Sequence, residues 1–534
     1  MSKERQSETK QLATQGIILV VASFAVRFIG FFYRIPLTNL WGDEGNDAYS
    51  MAYQIYNLCI IISSFGVPAT ISRMIGKRLA LKQYANAKQV VKVAMCLIGA
   101  VTLICALFLW FGNHWIANHI FASPAAALAI RVQAPTLIIV SCMAILRGLF
   151  QGMNNMKPTA ISQVFEQIVN AATSLIFAFA LFGRGLEYGV AGGISGALFG
   201  GIVALMFLSF VYILYRKYSW IGSARASTRF ITETNAAISK EMLFLLIPII
   251  LATSVMNIKS VIDSSLFMKL MHIKGYGDEA RIMRGIYQGK FVLLTTLPIA
   301  IGNALGTASV PSITRSITLN DREQVRHKIT MQYKMILMIE LPAAVGMAVI
   351  ARPLLRLLYP AASDGGELFW VGTSQIVFYS LVHVSTGILQ GIDKVNLPVR
   401  NACIAAVVSF LANIFCILVL DANVYALVIN DMVFSGILAW LDIESVRQYS
   451  KTRVRWKDLL VKPLISALAM GVICAGVYLL VSYTTHRTVL ALGLSIICAV
   501  ASYFLILVNI GGVTEEDMDN LPMGRKLSYL KLKK

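Results

Sequence analysis

The sequence predicts an all-α polytopic membrane protein with fourteen transmembrane helices, arranged as two six-helix lobes in a parallel pseudo-repeat plus two extra C-terminal helices. Three observations predict it. Of 534 residues, 57% are hydrophobic and only 14% charged, against about 25% charged in an ordinary soluble domain. Apolar runs of roughly 20 residues, the length that crosses a bilayer, recur from end to end. Basic residues gather in alternate loops, the pattern of a chain that threads a membrane repeatedly.

The spans fall near 14–38, 48–72, 90–112, 127–150, 159–182, 190–215, 242–268, 286–310, 333–351, 368–390, 398–420, 425–446, 459–482 and 488–510. The loops after the second, sixth, eighth and twelfth read KRLALKQYANAK, RKYSWIGSARASTR, RSITLNDREQVRHK and RQYSKTRVRWK. An even number of crossings and this basic bias predict a multi-pass membrane protein with both termini cytoplasmic. The first apolar run is too long for a signal peptide and is expected to stay as a span. NHWIANHIFASPAA, after the third span, has the composition of a short interfacial helix.

Domains follow from the same reading: residues 1–215 as the N-lobe, 216–241 as a basic cytoplasmic linker, 242–446 as the C-lobe, 447–510 as the two extra spans, and 511–534 as a cytoplasmic tail. The pseudo-repeat rests on three pairs in the same order: VPATISR (67–73) with VPSITR (310–315), GLFQGMNNMKP (148–158) with GILQGIDKVNLP (387–398), and AYQIYNL (52–58) with IYQGKFV (286–292). Six spans per half is an even number, so the halves run in the same direction.

The net charge of +20 follows the topology and not a nucleic-acid surface. The eight cysteines all fall in apolar spans without a CxxC pair and read as small core residues. The histidines lack metal-ligand spacing, and Asp517-Met518-Asp519 stands in a short tail with no domain to hold a nucleotide, so no cofactor is expected. The outer loops are short, which argues against an integral-membrane enzyme.

Charged residues inside spans carry the functional expectation. Arg27 and Arg34 are seven residues apart in the first span, hence two turns apart on one helical face. A charge near the bilayer centre costs at least roughly 2.5–3.5 kcal/mol. The pair reads either as arginines snorkelling to the interface or as a fork for phosphate or pyrophosphate. Lys290 in the eighth span is open to the same two readings, and Arg281 and Arg284 are expected to be solvated at the outer mouth. Lys259 and Asp263 are four apart in the seventh span and can neutralise each other; alternatively, Asp263 binds a coupling cation or proton. Glu166, Glu340 and Asp431 are further acidic candidates, whereas Arg73 and Arg147 at span ends need no special role.

RFIGFFYRIPL, GDEGNDAYSMAYQIYNL, FGVPATISR and IGNALGTASVPSITR resemble the polysaccharide-transporter branch of the multidrug, oligosaccharidyl-lipid and polysaccharide (MOP) exporter superfamily, and within it the lipid II flippase type of Gram-positive bacteria and the related stage V sporulation type. The resemblance implies two lobes around a cationic cavity and a groove for a polyprenyl tail in the last two spans. It also implies a lipid-linked anionic glycan as partner, within the bilayer and beside cell-wall synthesis enzymes. Arg27 and Arg34 match the family's first-helix arginines, with spacing different by one; Asp47 matches its aspartate in a DA(F/Y) motif; and Lys290 is similar in placement to a cavity arginine. The resemblance implies a Na+ or H+ site, or membrane-potential drive, with Asp263 and Asn413 as the matched cation ligands. The family's second-helix arginine is missing, since that stretch reads LCIIISS. A flippase for a lipid-linked sugar is the leading expectation; a multidrug cation antiporter, a flippase for another polysaccharide and a cell-wall scaffold are the alternatives.

Overall fold

A computed structural model describes residues 3–218, 233–319 and 321–512. Among them the chain is entirely helical. Eleven helices are long and apolar enough to cross a membrane, or up to 13 if each of two bent pairs is one span. The protein is therefore a multi-pass membrane protein. The expected linker at 216–241 and the tail at 511–534 fall largely outside the described residues.

The chain divides into two compact units, residues 1–285 and 286–534. The first holds α1 (Lys3–Ile60), α2 (Val67–Ala80), α3 (Tyr84–Trp115), α4 (Ala126–Gly152), α5 (Lys157–Phe182), α6 (Leu186–Tyr218), α7 (Asn235–Ile273) and nearly all of α8 (Glu279–Ile286). α7, the seventh expected span, thus packs within the first unit.

α1 is 58 residues long, about 87 Å at 1.5 Å per residue, and far exceeds a ~30 Å hydrocarbon layer. It breaks at Gly42, whose φ of 66° and ψ of −163° lie outside the helical region. A side chain rarely adopts a positive φ, so the WGDEG stretch supplies the break between the first two expected spans. Asn46 fixes the geometry there: its Oδ1 accepts from Trp41 Nε1 at 3.1 Å and Thr38 Oγ1 at 3.0 Å. The second half of α1 runs into a π-helical turn, Ile61–Phe65, and α2 begins with proline in its first turn. Pro68 lacks an N–H, which suits a helix start but not a continuing ladder.

Glycines let the helices of this unit approach closely. A Cβ at Gly192, Gly196 or Gly200 of α6 would lie 2.5 Å, 2.1 Å and 2.4 Å from its nearest atoms on α5. Spaced four apart, they form the small-residue stripe by which apolar helices pack backbone to backbone. α4 meets α2 in the same way: Gly148 lies against Pro68 and Ile71, and Gly152 against Ile75.

The second unit contains a π-helical stretch at Tyr287–Val292, then α9 (Leu293–Thr318), α10 (Arg322–Leu358), α11 (Gly366–Gly372), α12 (Ser374–Gly391), α13 (Asn396–Leu418), α14 (Tyr425–Ser450), α15 (Trp456–Thr485) and α16 (Thr488–Asn509). Asp321 caps α10, its side chain accepting from Gln324 N at 2.9 Å. Gly387 and Gly391 of α12 lie against Gly306, Ser309, Val310 and Ile313 of α9. The repeated sequence pairs thus make the same kind of contact inside each unit, glycines of one helix seated on the VP-containing helix. α15 and α16 pack on each other and on α10, with Tyr503 Oη donating to Met338 O at 2.8 Å.

Two local expectations change. The segment after the third span is a continuation of α3 through a π-helical turn, Ile116–Ile120, and not a separate interfacial helix. All eight cysteines are free, but only Cys59, Cys416 and Cys474 are buried, while Cys96 and Cys403 are exposed.

Candidate functional site

α1 carries Arg27 and Arg34 before its break and a row of tyrosines after it. The turn at Gly42 folds the second half back, so residues distant in sequence meet: the Arg34 guanidinium lies 4.4 Å from the centroid of the Tyr49 ring. Tyr33 and Tyr49 share a hydroxyl contact of 3.4 Å. Tyr49 stacks on Trp41 at 5.7 Å and on Tyr53 at 6.5 Å, and Tyr53 is followed by Tyr56 at 6.4 Å. Arg27 is exposed and Arg34 half-buried, and Tyr53 is within electrostatic reach of both. The first unit therefore presents two cations framed by aromatic rings. The ring face under the guanidinium offsets part of its desolvation.

The tyrosines were not singled out as site residues in the sequence. The signal was present: Tyr49, Tyr53 and Tyr56 recur at four and three residues, a single helical stripe. What the sequence lacks is the Gly42 fold-back that brings the stripe under Arg34.

Most other intramembrane charges of this unit are paired. Asp47 and Arg284 are both fully buried. Arg284 Nε donates to Asp47 Oδ1 at 2.6 Å and Nη2 to Oδ2 at 3.0 Å, a bidentate fork, and the guanidinium also donates to Ser264 O at 3.0 Å and Phe121 O at 2.9 Å. This corrects the expectation that Arg284 is solvated: the amphipathic α8 turns it inward, onto three elements of the unit. Beside it Gly285 is obligatory, since a Cβ there would come within 1.9 Å of Asp43 O. Arg281, half-buried, donates to Ala122 O at 2.8 Å and also pairs with Asp278.

Lys259 and Asp263 form a buried ion pair of 2.7 Å on α7. Two residues before Lys259, Asn257 Oδ1 accepts from Asn57 Nδ2 of α1 at 2.8 Å. Arg147 pairs with Glu166 at 2.6 Å and donates to Ser162, so a residue that needed no explanation from its position joins α4 to α5. Arg78, almost fully buried, bonds both Glu233 and Glu241 and holds the beginning of α7 to α2. Arg73 is exposed.

In the second unit Lys290 is fully buried, with Nζ 3.4 Å from Asp364 O and 6.0 Å from the Tyr359 ring centroid. Next to it Tyr287 donates a short hydrogen bond to Asp431. Glu340 is fully buried in α10. Asn413 is also fully buried, and neither polar atom of its side chain has a hydrogen-bond partner among the described residues. No group of three or more His, Cys, Asp or Glu among the described residues is placed to hold a metal ion.

An all-helical membrane fold with two arginines on its first helix narrows the class, and comparison with known sequences decides it. Residues 12–317, more than half the chain, match the family described as polysaccharide biosynthesis protein. The chain belongs to that family. Among its relatives is the lipid II flippase MurJ of Bacillus subtilis (strain 168), 28% identical over 431 residues, covering 76% of this chain and 77% of the relative. The stage V sporulation protein B of the same organism is 25% identical over 403 residues, covering 75% and 76%. Among solved structures, a multidrug resistance MATE family transporter of the MOP superfamily in an inward-facing conformation superposes with a TM-score of 0.64 at 15% identity, covering 80% of this chain and 94% of that one. The lipid II flippase MurJ in an inward closed conformation gives 0.61 at 17% identity, covering 92% and 98%. These likenesses establish the fold that this member of the polysaccharide biosynthesis protein family shares with them.

Proposed function

We propose that the chain is a flippase that carries an undecaprenyl-pyrophosphate-linked sugar precursor, lipid II for peptidoglycan, from the cytoplasmic to the outer leaflet by alternating access. The observation that carries this reading is the Arg27 and Arg34 pair beside the tyrosine stripe of α1, in a family with lipid II flippases among its members. Two turns of helix separate the arginines by about 10 Å along the axis, within reach of a pyrophosphate held between two long side chains. Each charge-assisted contact is worth about 1.5–3 kcal/mol. The polyprenyl tail stays in lipid along α15 and α16, and the protein does no covalent chemistry.

The fuller architecture belongs to the same proposal. Taking the Gly42 break as the division of α1 into two crossings raises 13 spans to fourteen. Six and six are then assigned to the lobes, with α7 counted to the second although it packs within the first unit, and both termini are cytoplasmic by the loop charges. Lys290, buried in the second unit, is the further cation that this proposal carries from the resemblance. Asp47, spent in the fork with Arg284, serves the site by holding the fold-back of α1. The membrane potential supplies about 2.3 kcal/mol per charge per 100 mV to move an anion outward or reset an empty cationic site. For cation coupling, Na+ or H+ at Asp263 competes with the Lys259 ammonium already on that carboxylate; Asn413, in the second unit, is the other residue that the resemblance matches.

A multidrug cation antiporter is the second reading, favoured by the superposition on the MATE transporter. The charge on α1 speaks against it, because a cationic drug meets arginine first.

The deciding experiment depletes the protein and identifies the lipid-linked sugar that accumulates in the inner leaflet. Arg27→Ala is expected to abolish complementation of a lipid II flippase-depleted strain while the protein still inserts; full growth with that variant would sink the pyrophosphate clamp.

A further inference from the structure

The second unit has a feature that transport through α1 does not use. Where α10 begins and α14 ends, two adjoining cavities open beside the turn 451–455. One, of about 600 Å³, lies between Tyr333, Trp440, Glu444, Arg447, Arg453 and Trp456. The other, of about 500 Å³, is lined by Glu323, Arg326, His327, Arg453, Arg455 and Leu459. Arg453 belongs to both.

The charge balance there is uneven. Glu444 is taken by Arg447 at 2.7 Å, whereas Arg326, Arg453 and Arg455 make no ion pair among the described residues, and all three are exposed. Among the described residues, Glu323 is the other carboxylate on these walls. The backbone holds this arrangement: Lys451 ends α14 with a φ of 55°, and Thr452, buried, donates its N–H to Ser450 Oγ at 3.2 Å. Trp456 opens α15 and packs on Tyr333 at 5.2 Å between ring centroids, while Trp440 is 66% exposed on the apolar flank. Indole rings at the start of apolar helices mark the level of the lipid headgroups, and the apolar span of α15 starts at Leu459.

We propose that these cavities bind the phosphate of an anionic glycerophospholipid, with Arg326, Arg453 and Arg455 on the phosphate and Trp440 and Trp456 against the glycerol and first acyl carbons. Three arginines that make no ion pair among the described residues favour phosphate over ammonium, so a zwitterionic lipid, whose ammonium they repel, is selected against. Two cavities sharing Arg453 suit a headgroup with two phosphates better than one. The site holds a regulatory or structural lipid against α10, α14 and α15, and is independent of the cargo site on α1.

The test is native mass spectrometry of the full-length protein in detergent, titrated with phosphatidylglycerol, diphosphatidylglycerol, phosphatidylcholine and inorganic phosphate. Wild type is expected to retain the anionic lipids in preference to phosphatidylcholine. The triple variant Arg326→Gln, Arg453→Gln, Arg455→Gln is expected to lose about tenfold or more in anionic-lipid affinity, given roughly one tenfold step per 1.4 kcal/mol. The pair Arg352→Gln and Arg356→Gln, which removes charge at the other end of α10, is expected to leave it unchanged. Equal weakening by both sets would reduce the effect to general charge and overturn the proposal. So would wild-type retention by the triple variant, or inorganic phosphate competing at the lipid's own affinity, which would assign the cavities to a soluble phosphate.

Discussion

Arg284→Ala should be among the most damaging single substitutions in the first unit, and the structure fixes why. Arg284 and Asp47 are fully buried and joined by two hydrogen bonds of 2.6 Å and 3.0 Å. Truncating the arginine strands an ionised carboxylate with no water to solvate it, and it removes the donors from Ser264 O and Phe121 O. Breaking a buried pair from one side costs about 3–5 kcal/mol, a large part of the 5–15 kcal/mol typical of a folded domain. Asp47→Ala should cost less, about 2–3 kcal/mol, because the guanidinium keeps two carbonyl acceptors out of four bonds. The double variant removes both charges, so its loss should fall short of the sum by about 2 kcal/mol. Steric trapping in bicelles measures all three free energies. A loss within about 0.5 kcal/mol for Arg284→Ala, the range of an ordinary surface change, would refute the claim that this fork holds the unit together, as would additivity of the two single variants.

Other substitutions follow from the same geometry. Gly196→Ala places a methyl 2.1 Å from Ser174 Oγ and should cost about 1–3 kcal/mol by overpacking α5 against α6, whereas Gly99→Ala, with open space around it, should be neutral or slightly stabilising; thermal denaturation in detergent ranks them. Tyr49→Leu removes the ring beneath Arg34 and should weaken binding of a polyprenyl-pyrophosphate lipid by about 0.5–2 kcal/mol, while Tyr49→Phe should keep most of it; a titration in nanodiscs reads the difference. If Asp263 takes a coupling cation, Asp263→Asn should abolish cation dependence of flipping in proteoliposomes; full transport by the Lys259→Met, Asp263→Leu double variant would show that the pair is only structural.

Much of the fold was legible in the sequence, and the reason is physical. Apolar runs and loop charges are one-dimensional records of the bilayer, so the multi-pass plan is written along the chain. The glycine repeats were legible for a similar reason: GLFQG and GILQG mark places where only hydrogen fits between helices, and each seats on its own VP-containing helix. Pairings across elements left no such record. Arg284 reads as a mouth residue because it follows the loop residues Asp278 and Glu279, and nothing nearby in sequence announces Asp47, 237 positions away, as its partner. Arg78 and Arg147 likewise look like ordinary basic span ends until their glutamates arrive from other helices. Sequence periodicity reports which face of a helix a residue occupies, but not what that face meets.

Those hidden pairings change the weight of Arg27. The first unit holds several cations within or beside its membrane helices. Arg284 is now answered by Asp47, Arg147 by Glu166, Lys259 by Asp263 and Arg78 by Glu233 and Glu241. Arg27 has no ion pair among the described residues and stays exposed on α1, between aromatic side chains that are themselves exposed, such as Phe28 and Phe32. Among the described residues no carboxylate pairs with it to offset its insertion cost of roughly 2.5–3.5 kcal/mol. On the flippase proposed above, a ligand phosphate supplies that offset, and it does so only while bound. On that proposal, the charge without an ion pair among the described residues is the one whose free energy is available to the cargo.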